Sequence, residues 1–128
     1  MKFYLAAPFS MKNKVREYAK QLRAAGHECT SNWLKERLNP KADIEPGDNF
    51  RHQAERDLID IDRSHQFVLF TVNPKHWIKR GGKHFEAGYA YANGLTINVI
   101  GPNENIFYFL RDVKHFKSFK EFLGSLEV

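Results

Sequence analysis

The residues of this chain best suited to chemistry are two carboxylates and a tyrosine. The segment Gly81-Gly82-Lys83-His84-Phe85-Glu86-Ala87-Gly88-Tyr89-Ala90 reads as a glycine turn entering a helix. Glu86 is expected in the first turn of that helix, where Gly82 lets backbone approach a ligand and Ala87 and Gly88 keep the helix slim. Asp57, Asp60 and Asp62 belong to an earlier helical stretch. Asp57 and Asp60 are three apart and share a face, while Asp62 points elsewhere. Two carboxylates that converge on one cleft can divide into a nucleophile and an acid. Tyr4 opens the run Tyr4-Leu5-Ala6-Ala7-Pro8-Phe9, whose small residues at 6 and 7 leave room for a ligand at a strand end. Each signal has a plainer reading. A first-turn Glu complements the helix dipole, and Tyr4 fits an ordinary core. The aspartates fit a solvated face balanced by Arg56 and Arg63. The solvated face is the better reading for Asp60 and Asp62; Asp57, beside Leu58 and Ile61, is expected at the core edge near Glu86.

Positioning these groups requires strands and helices in alternation. Residues 3–8 form an apolar run that Pro8 ends. Val15, Tyr18, Ala19 and Leu22 recur at helical spacing, closed by Gly26. His27 to Trp33 reads as a second strand, completing a unit of about 33 residues, the size of βαβ. Residues 38–50, with Asn39-Pro40 and Pro46-Gly47-Asp48, read as a loop. Helical spacing returns over Arg51–Ser64, and Phe67-Val68-Leu69-Phe70 has the unbroken apolar character of a central strand. Another loop spans 73–82, and a helix spans 84–93. A strand runs from Thr96 to Ile100, broken by Gly101-Pro102, and Phe116, Phe119 and Leu123 mark a final short helix. The pattern predicts one domain over residues 1–128, α/β and doubly wound, with a mainly parallel sheet flanked by helices in the Rossmann or flavodoxin manner. In such sheets the ligand lies beyond the carboxyl ends of the strands, from which loops 8–13, 71–82 and 101–106 depart.

Composition narrows the classes. The 128 residues include 42% hydrophobic residues, enough for one core. No apolar run approaches the ~18 residues that span a bilayer. The apolar N-terminus is cut by Pro8 and followed by the charged stretch Lys12 to Arg16, which favours a buried strand over a leader. A lone Cys29 excludes an internal disulfide, and scattered His residues give no zinc spacing. The expectation is a cytoplasmic protein without membrane contact, metal or organic cofactor. A net charge of +5 suggests an anionic partner. Lys114, Lys117 and Lys120 interleave with Phe116, Phe119 and Phe122, a combination that can bind single strands. An amphipathic helix burying Phe116 and Phe119 is the preferred reading, so a nucleic-acid polymer is not the expected partner.

Taken together, these motifs resemble the nucleoside 2-deoxyribosyltransferase family and its nucleotide N-glycosidase relatives. The likeness rests on Tyr-Leu-Ala-Ala-Pro-Phe at 4–9, Arg-Asp-Leu at 56–58, Gly-Gly-x-His-x-Glu-x-Gly-Tyr-Ala at 81–90 and Gly-Pro-Asn-Glu-Asn-Ile-Phe at 101–107. It implies that Glu86 is the nucleophile that attacks the anomeric carbon of a deoxyribose, that Tyr4 holds this carboxylate, and that Asp57 lies near the sugar and leaving base. Ala6, Pro8, Phe9, Arg80, Gly82, His84, Asn103 and Asn105 would contact substrate, the two asparagines in a neighbouring subunit of a homo-oligomer. The substrates implied are a deoxynucleoside or deoxynucleotide and a free base. Cleavage builds positive charge on the sugar, which a carboxylate stabilises and can trap. A second base then gives transfer, the first reading; water gives hydrolysis of a deoxynucleoside 5′-monophosphate, the second. A non-catalytic nucleotide-binding module is the third. Three positions depart from the family pattern. His65 stands where an Asp is usual, Ala7 where a Gly is common, and Arg80 where an acidic or hydroxyl residue is usual. Arg80 either pairs with a 5′-phosphate, helped by Lys83 and His84, or is a solvated loop charge.

Overall fold

In a computed structural model, residues 1–35, 48–73 and 81–126 are described. Five strands, β1 (Lys2–Ala6), β2 (Glu28–Cys29), β3 (Gln66–Phe70), β4 (Thr96–Ile100) and β5 (Lys114–Phe116), form one sheet in the order β2-β1-β3-β4-β5, with every pairing parallel. The described helices are α1 (Lys12–Ala24), α2 (Asp48–Asp62), α3 (Gly82–Ala92) and α4 (Phe119–Ser125). The doubly wound α/β expectation is met.

Parallel strands covered on both sides must be apolar throughout, and β1, β3 and β4 are buried at four of five positions each. Phe3 meets Phe122 edge-on, and Phe70 stacks on Tyr18, which stacks on Phe119. These rings join α1 and α4 over one face. On the other face Tyr4 stacks on Phe67 at 5.5 Å between ring centres. This strand order reverses direction between β1 and β3, and the crevice beyond such a switch point is where open α/β sheets bind ligands.

Three expectations are corrected. The strand read over His27–Trp33 is only Glu28–Cys29, and Asn32–Lys35 form a 3₁₀ turn. Side chains take over the ladder there. Leu5 N–H donates to Ser31 Oγ at 2.7 Å, and Leu5 C=O accepts from Trp33 Nε1 at 2.8 Å. The outer edge of β1 is thus satisfied without a longer neighbour. At the other edge, Phe116 belongs to strand β5, which the sequence reading missed. The final helix buries Phe119 and Phe122, not Phe116 and Phe119. Three residues are too few to display a period. Of the loop read over 38–50, residues 48–50 are the start of α2, and 38–47 lie outside the described residues.

Glycine is forced at the end of β4. Gly101 has φ +114°, and a Cβ there would lie 2.4 Å from Thr71 Oγ1. The strand ends β3 and β4 therefore stay close where loop 101–106 departs.

Candidate active site

The helix carrying Glu86 begins earlier than its spacing suggests. Gly81, at φ +70°, is the N-cap, in the left-handed region that favours glycine. Gly82 is the first helical residue, which puts Glu86 in the second turn. The dipole reading of Glu86 weakens accordingly, because that effect fades after the first turn. Helix α3 packs against α2 and against β1, β3 and β4. Ala87 and Ala90 form its buried contacts, and small side chains there let the helix sit close to the sheet.

Tyr4 and Glu86, 82 positions apart, meet. The fully buried Tyr4 donates its hydroxyl proton to Glu86 Oε2. Burial pushes the Glu86 carboxyl up to about 7; the Tyr4 hydrogen bond opposes this, and the nearby charges of Asp57 and Asp60 add to it. Burial, then Glu86, drive the Tyr4 phenol far above its ordinary range, so it remains a neutral donor. Asp57 keeps 25% of its side chain exposed, with Arg56 Nη2 at 3.4 Å. It lies on α2 near enough to Glu86 and Tyr4 to act on both electrostatically.

Asp60 is not on a solvated face. It is 1% exposed and accepts from Asn32 N and Asn32 Nδ2, both at 3.0 Å. It fastens α2 to the turn that completes the edge of β1. Asp62 is exposed, as expected, and accepts from the Tyr89 hydroxyl at 2.7 Å.

The remaining residues assigned to substrate divide by position. Ala6 is buried at the end of β1, Pro8 is half-buried, and Phe9 is exposed with its ring edge-on to Trp33. Gly82 is exposed with open space where a Cβ would stand. Arg80 lies outside the described residues. Asn105 caps the 3₁₀ turn Ile106–Phe109 by accepting from Phe107 N at 3.0 Å, and its Nδ2 is 3.4 Å from His84 Nδ1. Asn103 Oδ1 is buried without a hydrogen-bond partner.

The motif reading missed Glu104 and Tyr108. Glu104 Oε2 accepts from Lys83 Nζ at 2.5 Å and from Val72 N at 3.2 Å, and Oε1 lies 3.5 Å from His84 Nε2. Tyr108 Oη lies 2.5 Å from His84 Nδ1. Burial lowers His84 more than Glu104 raises it, and pushes Tyr108 up to about 12. The available signal was Glu104 itself, an acidic residue between two asparagines already singled out. Among the described residues no group of three or more His, Cys, Asp or Glu could hold a metal.

The sequence matches no protein-family model and no curated protein. Solved structures do match. The CMP N-glycosidase BcmB of Clostridium botulinum aligns over 100% of both chains at 19% identity and a TM-score of 0.64. The 2-deoxyribosyltransferase of Bacillus psychrosaccharolyticus aligns over 96% of this chain and 90% of its own, at 18% identity and a TM-score of 0.63. At these identities the shared property is the fold.

Proposed function

We propose that this chain is a single catalytic domain that cleaves the N-glycosidic bond of a 2′-deoxynucleoside and transfers the sugar to another base. The observation that carries the reading is the Tyr4–Glu86 hydrogen bond at the switch point of the sheet, with Asp57 electrostatically in reach. Glu86, ionised, attacks the anomeric carbon as the bond to the base breaks. The base leaves with a proton taken from solvent water beside Asp57, whose ionised carboxylate stabilises the positive charge building on the sugar, and the sugar remains esterified to Glu86. An incoming base attacks the same carbon, its proton passes to solvent, and the Glu86 carboxylate is released. Tyr4 holds the carboxylate in line, and no cofactor enters the sequence. A lone Cys29 fits a reducing cytoplasm, and no described helix is long and apolar enough to cross a membrane.

The second reading is hydrolysis of a deoxynucleoside 5′-monophosphate; in favour of its monophosphate, the neighbour that matches end to end is by name a CMP N-glycosidase. Incubation with deoxynucleosides or their monophosphates, with and without a second base, separates the two. A new nucleoside that forms only with the second base supports transfer; free base with deoxyribose phosphate supports hydrolysis. Mass spectrometry after exposure to a 2-fluoro-2-deoxy nucleoside should find the sugar on Glu86, and an adduct on any other residue overturns the assignment.

The reading includes a homo-oligomer. Ile106, Phe107 and Phe109 are exposed on one 3₁₀ turn beside Asn103 and Asn105, and clustered exposed apolar residues mark interaction surfaces. Sedimentation should give an oligomer at micromolar concentration and a smaller species for Phe107→Ser/Phe109→Ser. A monomeric wild type removes the subunit partner from the reading.

A further inference from the structure

Lys83 and Glu86 are three residues apart on α3 and so share a face of the helix. The step between them is one turn, about 5 Å along the axis, comparable to the reach from the anomeric carbon of a deoxyribose to its 5′ substituent. Resting on the assignment of Glu86 as the sugar-attacking carboxylate, Lys83 is a cation on the helix face that carries that carboxylate, one turn toward the helix N-terminus. It does not stand free. Its ammonium lies 2.5 Å from Glu104 Oε2, and the two side chains are only 13% and 8% exposed. The same oxygen accepts from Val72 N–H, which pins Glu104 to the end of β3. Burial holds the neighbouring His84 below its ordinary range, more than Glu104 raises it. Asp57 and Asp60 add negative potential at Glu86.

We infer that Glu104 is a specificity-determining residue: by holding the Lys83 ammonium it keeps the first turn of α3 from offering a cation to the substrate, and it biases the site toward a 5′-hydroxyl over a 5′-phosphate. A hydrogen bond to a charged group is worth about a factor of ten in binding when one is gained. Glu104→Gln keeps an acceptor for Val72 N–H and removes the charge that neutralises Lys83.

The test is an NMR titration of the full chain with 2-deoxyribose 5-phosphate and with 2-deoxyribose, probes that contain no bond to a base. Glu104→Gln should bind the phosphate about tenfold more tightly than wild type, with unchanged affinity for 2-deoxyribose. Lys83→Met/Glu104→Gln should return to the wild-type value. Arg80 is left in place throughout, so its contribution is common to all variants. No gain in a natively folded Glu104→Gln overturns the inference, as does a gain that persists without Lys83. Should Glu104→Gln not fold, Glu104→Asp, with a shorter reach to Lys83, must show a smaller gain in the same direction, and no gain overturns the inference. Turnover of deoxynucleosides by wild type tests the Glu86 reading separately. A gain without turnover sinks that reading and leaves the charge pairing standing, while turnover without a gain sinks the charge pairing alone.

Discussion

At the residue scale, the chemistry turns on a carboxyl group that burial makes reluctant to ionise. Glu86 titrates near 7, and only its ionised form attacks. The profile of kcat/KM against pH should therefore rise with a midpoint near 7. The Tyr4 hydrogen bond favours the ionised form, so Tyr4→Phe should move that midpoint to higher pH and lower activity at pH 7. An unchanged midpoint would count against Tyr4 as the group that tunes the carboxylate. Glu86→Gln should lose activity by on the order of 10³-fold or more while keeping an acceptor for Tyr4. The pairing of Tyr4 with Glu86 was legible in the sequence only through the resemblance of its motifs, since nothing in the chain between them, 82 positions from one to the other, fixes a contact. Asp60 was misread for a related reason. Its spacing matches that of an exposed acidic stripe, and only the Asn32 backbone and amide show it to be buried and satisfied.

At the element scale, α3 and its glycine turn decide where Glu86 stands. Gly81 lies in the left-handed region and Gly82 does not, and neither has an atom within 4 Å of a would-be Cβ. Gly81→Ala should cost about 1–2 kcal/mol in backbone strain, whereas Gly82→Ala should be stabilising by about 0.4–1 kcal/mol through the unfolded chain. Thermal unfolding of the two variants should shift in opposite directions; equal shifts would refute the assigned backbone geometry. The anchor of α2 behaves differently again. Asp60→Ala strips two hydrogen bonds from a buried site and should cost about 2–4 kcal/mol, while Asp62→Ala should leave the unfolding midpoint unchanged. The helix periods and the apolar run of β3 were readable because each repeats or persists over several residues. The two-residue β2 and three-residue β5 were not, because partners from elsewhere in the sheet define them.

At the scale of the whole molecule, the buried carboxyl couples folding to pH. The folded value of Glu86 lies above its ordinary value of 4.5, so the folded state holds the proton more tightly than the unfolded chain. That contribution is complete below about pH 4.5 and is lost as pH rises through 7. Glu86→Gln does not titrate there, so its stability relative to wild type should increase between pH 5 and pH 8, by up to about 3 kcal/mol. Urea unfolding at the two pH values reads this directly, and a constant difference would mean that Glu86 is solvated. The net charge of +5 looks less like an address for a polymer once Lys83 is seen spent on Glu104. The sequence by itself determined the alternation of strands and helices, the parallel sheet and the loops that leave its carboxyl ends. These follow from local periodicity and from the burial that a doubly covered strand demands. Only the tertiary structure put Tyr4 in contact with Glu86, a pairing that the motifs implied by resemblance alone, and decided that Asp60 is an anchor and that Glu104 holds Lys83. Those are contacts between segments distant in sequence, and their energies depend on burial that no single segment contains.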